Sequence, residues 1–276
     1  MRILFFLTIL SVCTLITSCT DNYPTNSPLG MIVILKADDL GDTTANWNRF
    51  ISIVETKRIS AGIGVIAQKI TSQSAISEIK RITKIKQANQ FPVIEFWNHG
   101  LDHIKRKGKG EFVESRSLQT ERLIKSQKII KKNSLLTSRS FGAPFNITTS
   151  TTADALESTP EINVWQCYQI HEKQDNPTWK DPKKSQISAN DKHILLDVDY
   201  ASVNNFDENK MIENFEKDKK KPYLLIQIHP NVWHEKHFQR FERLIDFYKN
   251  KNITFMTPYQ YYEYLHGNEN LTTKLD

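Results

Sequence analysis

Apolar and polar positions alternate in blocks along most of the chain. Residues 31–36 form an apolar run rich in β-branched side chains, and it gives way to Ala37-Asp38-Asp39-Leu40-Gly41. Residues 46–58 carry apolar side chains at helical spacing, residues 62–67 read as a strand, and residues 74–87 read as a helix. A strand over 91–97 runs into Asn98-His99, and an amphipathic helix is predicted over 118–132. A short extended segment at 140–145, a helix at 151–157 and a strand at 164–170 follow. The series closes with strand 193–198, helix 208–219, strand 223–228, helix 235–249, strand 253–256 and helix 258–265. Short apolar runs between polar turns have the length of buried strands, whereas three-to-four spacing makes one face of a helix. Strands that alternate with helices predict a parallel sheet covered by helices. About seven strands in one block, without linker or repeat, favour a barrel over an open sheet. Residues 171–192 are polar and aperiodic, and read as a long loop over one end.

Composition narrows the class without naming a function. With 39% hydrophobic and 25% charged residues in 276, the chain is neither collagen-like, low-complexity nor wholly disordered. The net charge of +6 comes from lysines scattered among the acids, so no nucleic-acid partner is expected; separately, no obligate protein partner is expected. The N-terminus changes the picture more. Arg2 precedes an uncharged stretch over 3–18 whose apolar centre is short for a bilayer span and has the make-up of a signal-peptide core. It ends in Ile16-Thr17-Ser18-Cys19, which resembles a bacterial lipoprotein cleavage box. The alternative is an ordinary signal peptide in which the cysteine is incidental. The lipoprotein reading expects a signal peptide over 1–18, lipidation at Cys19, a tether over 19–30, a domain over 31–267 and a tail over 268–276. The protein would then be exported and held to a membrane by its lipid, in the periplasm or at the cell surface. Cys167 is then the one cysteine left in the domain, so no internal disulfide is expected, and its apolar surroundings mark it as a buried strand residue rather than a nucleophile.

The unusual polar residues fall at strand ends. Asp38 and Asp39 follow the first strand, His99 and His103 the third, Arg139 and Pro144 flank the fourth, Asp197 and Asp199 end a later one, and His229 ends the next. In parallel α/β folds the C-terminal strand ends form the active face. Each feature by itself has a plainer reading. The aspartate pair suits a cap for the helix near Asn46, the two histidines suit a surface pair, and His229 suits a satisfied core histidine. Taken together, one carboxylate and two imidazoles make a facial metal triad with open positions.

These residues resemble the polysaccharide deacetylases of carbohydrate esterase family four, the NodB-homology domain, over roughly residues 31–266, and the resemblance implies a distorted (β/α) barrel of seven to eight units, in keeping with the strand count. The resemblance rests on Asp38-Asp39, on His99-Gly100-Leu101-Asp102-His103, on Phe141-Gly142-Ala143-Pro144-Phe145-Asn146, on Ile228-His229-Pro230 and on the closing Phe255-Met256-Thr257-Pro258. It implies that Asp39, His99 and His103 hold one divalent metal, zinc before cobalt, nickel or manganese. It implies that Asp38 is the general base, that His229 protonates the leaving group, and that the Phe145 backbone N–H supports the oxyanion beside Pro144 and Asn146. An acidic partner for His229 is expected, with Asp197 and Asp199 as candidates. The sequence departs from the family at Gly142, where an arginine normally stands beside the base. Arg139 or Asn146 is the expected substitute. Tyr200 replaces a tryptophan of the family pattern, and Trp233 offers an acetyl-pocket wall, a sugar-stacking face or simple packing. The implied activity is deacetylation of an N-acetylated cell-surface or extracellular glycan. The alternatives are hydrolysis of O-acetyl esters and a catalytically inactive glycan-binding lipoprotein of the same fold.

Overall fold

Among the described residues nine segments become strands, all but one of them apolar runs, and every pairing between them is parallel. They are β1 (Ile32–Leu40), β2 (Ala61–Val65), β3 (Ile94–Asn98), β4 (Ser140–Phe141), β5 (Val164–Cys167), β6 (Ile194–Asp197), β7 (Tyr200–Ser202), β8 (Tyr223–Ile228) and β9 (Thr254–Met256). The helices are α1 (Ala45–Lys57), α2 (Gln73–Ile82), α3 (Arg116–Ser134), α4 (Ser150–Glu157), α5 (Glu208–Asp218), α6 (Glu235–Asn250) and α7 (Pro258–Leu265). This computed structural model describes residues 30–87, 91–105, 110–134, 136–168, 178–203 and 205–267. The expected signal peptide, Cys19, nearly all of the tether and the tail lie outside the described residues, as does part of the loop over 171–192. Among the described residues no helix is long and apolar enough to cross a membrane.

The strand order is β6-β5-β4-β3-β2-β1-β8-β7, with β9 also on β1. One edge of β1 pairs with β8 from Ile32 to Ala37. Its other edge is shared, with Ile32–Ile34 on β9 and Lys36–Leu40 on β2. The sheet curls into a distorted barrel that stays unpaired between β6 and β7. Two elements differ from the sequence expectation. The extended segment at 140–145 yields only two strand residues, because Pro144 has no N–H to donate and the chain turns with Phe145 at φ 61° and Asn146 at φ 55°. The short β7 was not predicted, since Tyr200-Ala201-Ser202 has no apolar run. It is recruited by pairing with Ile226, Gln227 and Ile228 of β8.

Alternation along β1 separates outside from inside. Val33 and Leu35 pack with Trp47 and Phe50 of α1 and Phe241 of α6. Ile32 and Ile34 face the barrel interior with Val164, Leu196, Leu225 and Met256. Continuing the interior face by two residues each time gives Lys36 on β1, Gln166 on β5 and Gln227 on β8, all buried. The interior is therefore apolar at its base and polar toward the C-terminal strand ends, where the candidate site lies.

Candidate metal centre

The end of β1 is bulged. Its register with β2 shifts between Ala37 and Leu40, and Asp39 is held at φ 76°. A bulge breaks the two-residue alternation of a strand, so the adjacent Asp38 and Asp39 both reach His99 instead of diverging. His99 Nε2 lies 3.1 Å from Asp39 Oδ1 and 3.9 Å from Asp38 Oδ2. Neither aspartate caps the following helix, because that position is filled by Thr44, which accepts the Trp47 N–H.

The two histidines sit on a tight loop, not on a helix. Gly100 has φ 81°, and a Cβ there would stand 2.6 Å from Pro144 Cγ, so both backbone shape and space require glycine. Asn98 Oδ1 accepts the Gly100 N–H, and its amide donates to Ser126 Oγ at 2.7 Å on α3. Glu111, fully buried, closes the loop. Its carboxylate accepts N–H groups from Leu101 at 2.9 Å, Asp102 at 3.1 Å and His103 at 2.6 Å. His103, at φ 55°, is thereby turned back toward Asp39.

His99 Nδ1 lies 2.7 Å from the Gly142 carbonyl oxygen. A carbonyl only accepts, so Nδ1 carries the hydrogen and Nε2 is left to face Asp39. His103 Nε2 approaches the same oxygen, Asp39 Oδ1, at 3.0 Å. The ligand atoms of Asp39, His99 and His103 all lie within 4.8 Å of one another. Two imidazole nitrogens converging on one carboxylate oxygen require positive charge between them, as protons or as a cation. Burial acts to raise the Asp39 pKa, but hydrogen bonds from His103 and His99, together with their charge, hold it well below the usual carboxylate range. One ionised carboxylate and two oriented imidazoles fit zinc or another first-row divalent ion.

His229 ends β8 and brings Nε2 to 3.9 Å from Asp39 Oδ2. The Phe145 ring lies tilted against that of His103, with centroids 4.1 Å apart. Asn146 donates to Gln227 Oε1 at 3.1 Å, which ties the Pro144 turn to β8.

Four sequence expectations are corrected. Arg139 does not approach Asp38. It precedes β4 and so lies at the opposite end of the barrel, with its guanidinium over Tyr259 and a contact to the Glu161 carbonyl. Asn146 is engaged by Gln227 and is not the partner of Asp38 either. Neither Asp197 nor Asp199 orients His229, whose Nδ1 instead lies 3.1 Å from the Ser202 carbonyl on β7. The Asp199 carboxylate is taken up by Lys183 at 2.7 Å, Lys221 at 3.0 Å and the Leu225 N–H at 2.9 Å, while Asp197 ends β6. Trp233 is 2% exposed inside a cluster with Phe50, Phe206, Phe238 and Phe241, so it offers no face to a sugar.

Two contributors were missed. Glu111 carries no local signal, because its partners lie on a separate turn of the chain. Lys36 does carry one, as a lysine inside an apolar strand two residues before Asp38 and hence on the same face. Its Nζ lies 2.5 Å from Asp38 Oδ2.

No protein-family model matches the chain, and no curated protein matches it. Solved structures do. A family 4 acetyl xylan esterase from Clostridium thermocellum, in complex with a cobalt ion, shares 16% identity over 82% of this chain and 87% of that one, with a TM-score of 0.53. The esterase domain of a multidomain xylanase from the hindgut metagenome of Trinervitermes trinervoides shares 16% over 89% of this chain and 96% of that one, with a TM-score of 0.56. A family-four pseudoenzyme from Bacillus anthracis shares 12% over 84% of this chain and 65% of that one, with a TM-score of 0.53. The chain has the fold of carbohydrate esterase family four, the NodB-like (β/α) barrel.

Proposed function

We propose that this protein is a metal-dependent hydrolase that removes acetyl groups from N-acetylated sugars of a cell-surface or extracellular polysaccharide. The observation that carries the reading is the convergence of Asp39, His99 and His103 within 4.8 Å, with Asp38 and His229 against them. Asp39, His99 and His103 would hold one divalent cation, zinc before cobalt, nickel or manganese. Such an ion supplies Lewis acidity, which acidifies water and polarises the acetyl carbonyl.

The chain's own residues do the rest. Asp38 has one oxygen on Lys36, while Oδ1 has no hydrogen-bond partner among the described residues. A buried carboxylate oxygen left open in this way is placed to take the proton of the attacking water. The Ser202 carbonyl fixes His229 Nδ1 as the protonated nitrogen, so Nε2 is the atom that exchanges a proton with the departing amine. The backbone N–H of Phe145 is the proposed donor to the developing oxyanion. Pro144 and the Phe145 ring wall the pocket beside His103.

The cobalt-bound acetyl xylan esterase of similar fold supports a metal and acetyl chemistry, and it favours an O-acetyl ester as the second reading. The pseudoenzyme of similar fold, together with Gly142 in the arginine position, favours an inactive glycan binder as the third. Elemental analysis of wild type and His99→Ala, with acetate release from chitooligosaccharides and from acetylated xylan, separates the three. The amide reading expects one metal per chain, lost in His99→Ala, and acetate from the chitooligosaccharide. Metal-loaded protein that releases acetate from neither substrate rejects both hydrolytic readings. Export and anchoring through a lipid on Cys19 belong to the same proposal, supported by residues 3–19, and the mass of the N-terminal peptide from membrane-extracted protein tests them.

A further inference from the structure

We infer that Lys36 is a positioning residue that holds Asp38 as the base, and that Gly142 is the space that lets it do so. The inference rests on the proposed hydrolytic reading, which gives Asp38 its role.

Lys36 is 0% exposed, on the interior face of a strand whose other interior residues are Ile32 and Ile34. A buried ammonium is costly unless paired, and an apolar residue would fill the same volume at no such cost. Packing therefore does not account for a charge at this position. The charge is aimed, since Nζ meets Asp38 Oδ2 at 2.5 Å and sits 5.0 Å from the centroid of the Trp97 ring. The stem is bracketed as well. A Cβ on Gly142 would lie 3.1 Å from Lys36 Cε and 2.9 Å from Trp97 Cζ3. Trp97 itself occupies the space that a side chain on Gly64 would need. Two glycines thus admit Trp97, and Gly142 with Trp97 confines the lysine to the path that ends on Asp38. Because Lys36 and Asp38 are two residues apart on one strand, the pair is set by the backbone of β1 and not by the mobility of a loop. One carboxylate oxygen is pinned and the other left open, which orients the base.

The test is a double-mutant cycle on the full chain loaded with zinc, using wild type, Lys36→Met, Asp38→Asn and the double variant. Metal content, kcat and KM for acetate release are read for each. Lys36→Met is expected to keep one metal per chain and a nearly unchanged KM, and to lose roughly tenfold to a hundredfold in kcat. The double variant is expected to be no slower than Asp38→Asn within about twofold, because a residue acting through another adds nothing once that one is gone. An unchanged kcat in Lys36→Met, or losses that multiply in the double variant, overturns the role of Lys36 and leaves the hydrolytic reading intact. A zinc-loaded wild type without acetate release from either substrate class overturns that reading, and the positioning role with it. If Lys36→Met does not fold, Lys36→Gln takes its place, with the same coupling expected.

Discussion

Glu111 is the side chain on which the shape of the two-histidine loop depends, and replacing it with glutamine isolates that contribution. One carboxylate oxygen accepts from Asp102 and His103, and the other accepts from Leu101. Glutamine offers one acceptor oxygen and one amide group. If the oxygen keeps its two partners, the amide meets the Leu101 N–H donor to donor. The variant loses a hydrogen bond to a charged acceptor, worth about 1.5–3 kcal/mol, and leaves a buried donor unmatched at about 1–3 kcal/mol. A total of about 2.5–6 kcal/mol lowers Tm by roughly 5–24 °C, at about 2–4 °C per kcal/mol. The loop also carries His103, so affinity for zinc should fall about tenfold to a hundredfold, the usual scale for loss of a group that orients a ligand. Thermal melts of metal-free protein and calorimetric zinc titration read the two effects separately. Glu78→Gln is the control. It removes an exposed pair with Arg81 at 2.8 Å and should change stability by less than about 1 kcal/mol. A Glu111→Gln variant that melts and binds zinc like wild type would refute the assignment of Glu111 as the anchor of the loop.

Further expectations follow from other positions. Gly142→Ala should destabilise by about 1–3 kcal/mol in urea denaturation, since its Cβ would press on Trp97 and Lys36, and an unchanged midpoint would show that the space is not tight. Asp42 accepts from the Ser72 and Thr71 N–H groups and the Thr71 hydroxyl, and these bonds hold its carboxyl below the ordinary value of 3.8. A depressed folded pKa stabilises fully above that value and loses its effect as pH falls through the lower one. The Tm gap between wild type and Asp42→Asn should therefore be constant well above pH 3.8 and shrink as the pH falls below it, and a gap that widens on acidification would contradict it. Burial, then the charge of Asp197, pushes the Cys167 thiol up to about 12. Iodoacetamide at mildly alkaline pH should leave Cys167 unmodified in the native protein and label it after unfolding in guanidinium, as read by peptide mass; rapid native labelling would count against its burial.

Local periodicity and capping chemistry were enough to place most elements. The apolar run Tyr223–Ile228 stands as a strand at the expected bounds, and α7 starts where Thr257 and Gln260 form a reciprocal cap ahead of Pro258. The barrel architecture followed from that alternation, because each strand and helix is chosen by the solvent contrast along its own few residues. Strand-end placement pointed to one carboxylate and two histidines, and the resemblance to the deacetylase family singled out Asp39 with His99 and His103. Neither reached the partners of those residues. Arg139 lies three residues before Gly142 in sequence but stands at the wrong end of β4, and Asp199 is drawn to Lys183 and Lys221 instead of His229. Trp233, read as a possible sugar platform, is consumed by an aromatic core built from α1, α6 and the segment before α5. Lys36 and Asp38 share a face of β1, but the room for the lysine stem beside Trp97 comes from Gly142, far along the chain. Sequence thus determined most of the elements and their order, which are set by interactions between near neighbours, and named the candidate ligands of a cation. Only the tertiary structure decided which charge holds which, because that choice is made by packing among segments that the chain brings together from a distance.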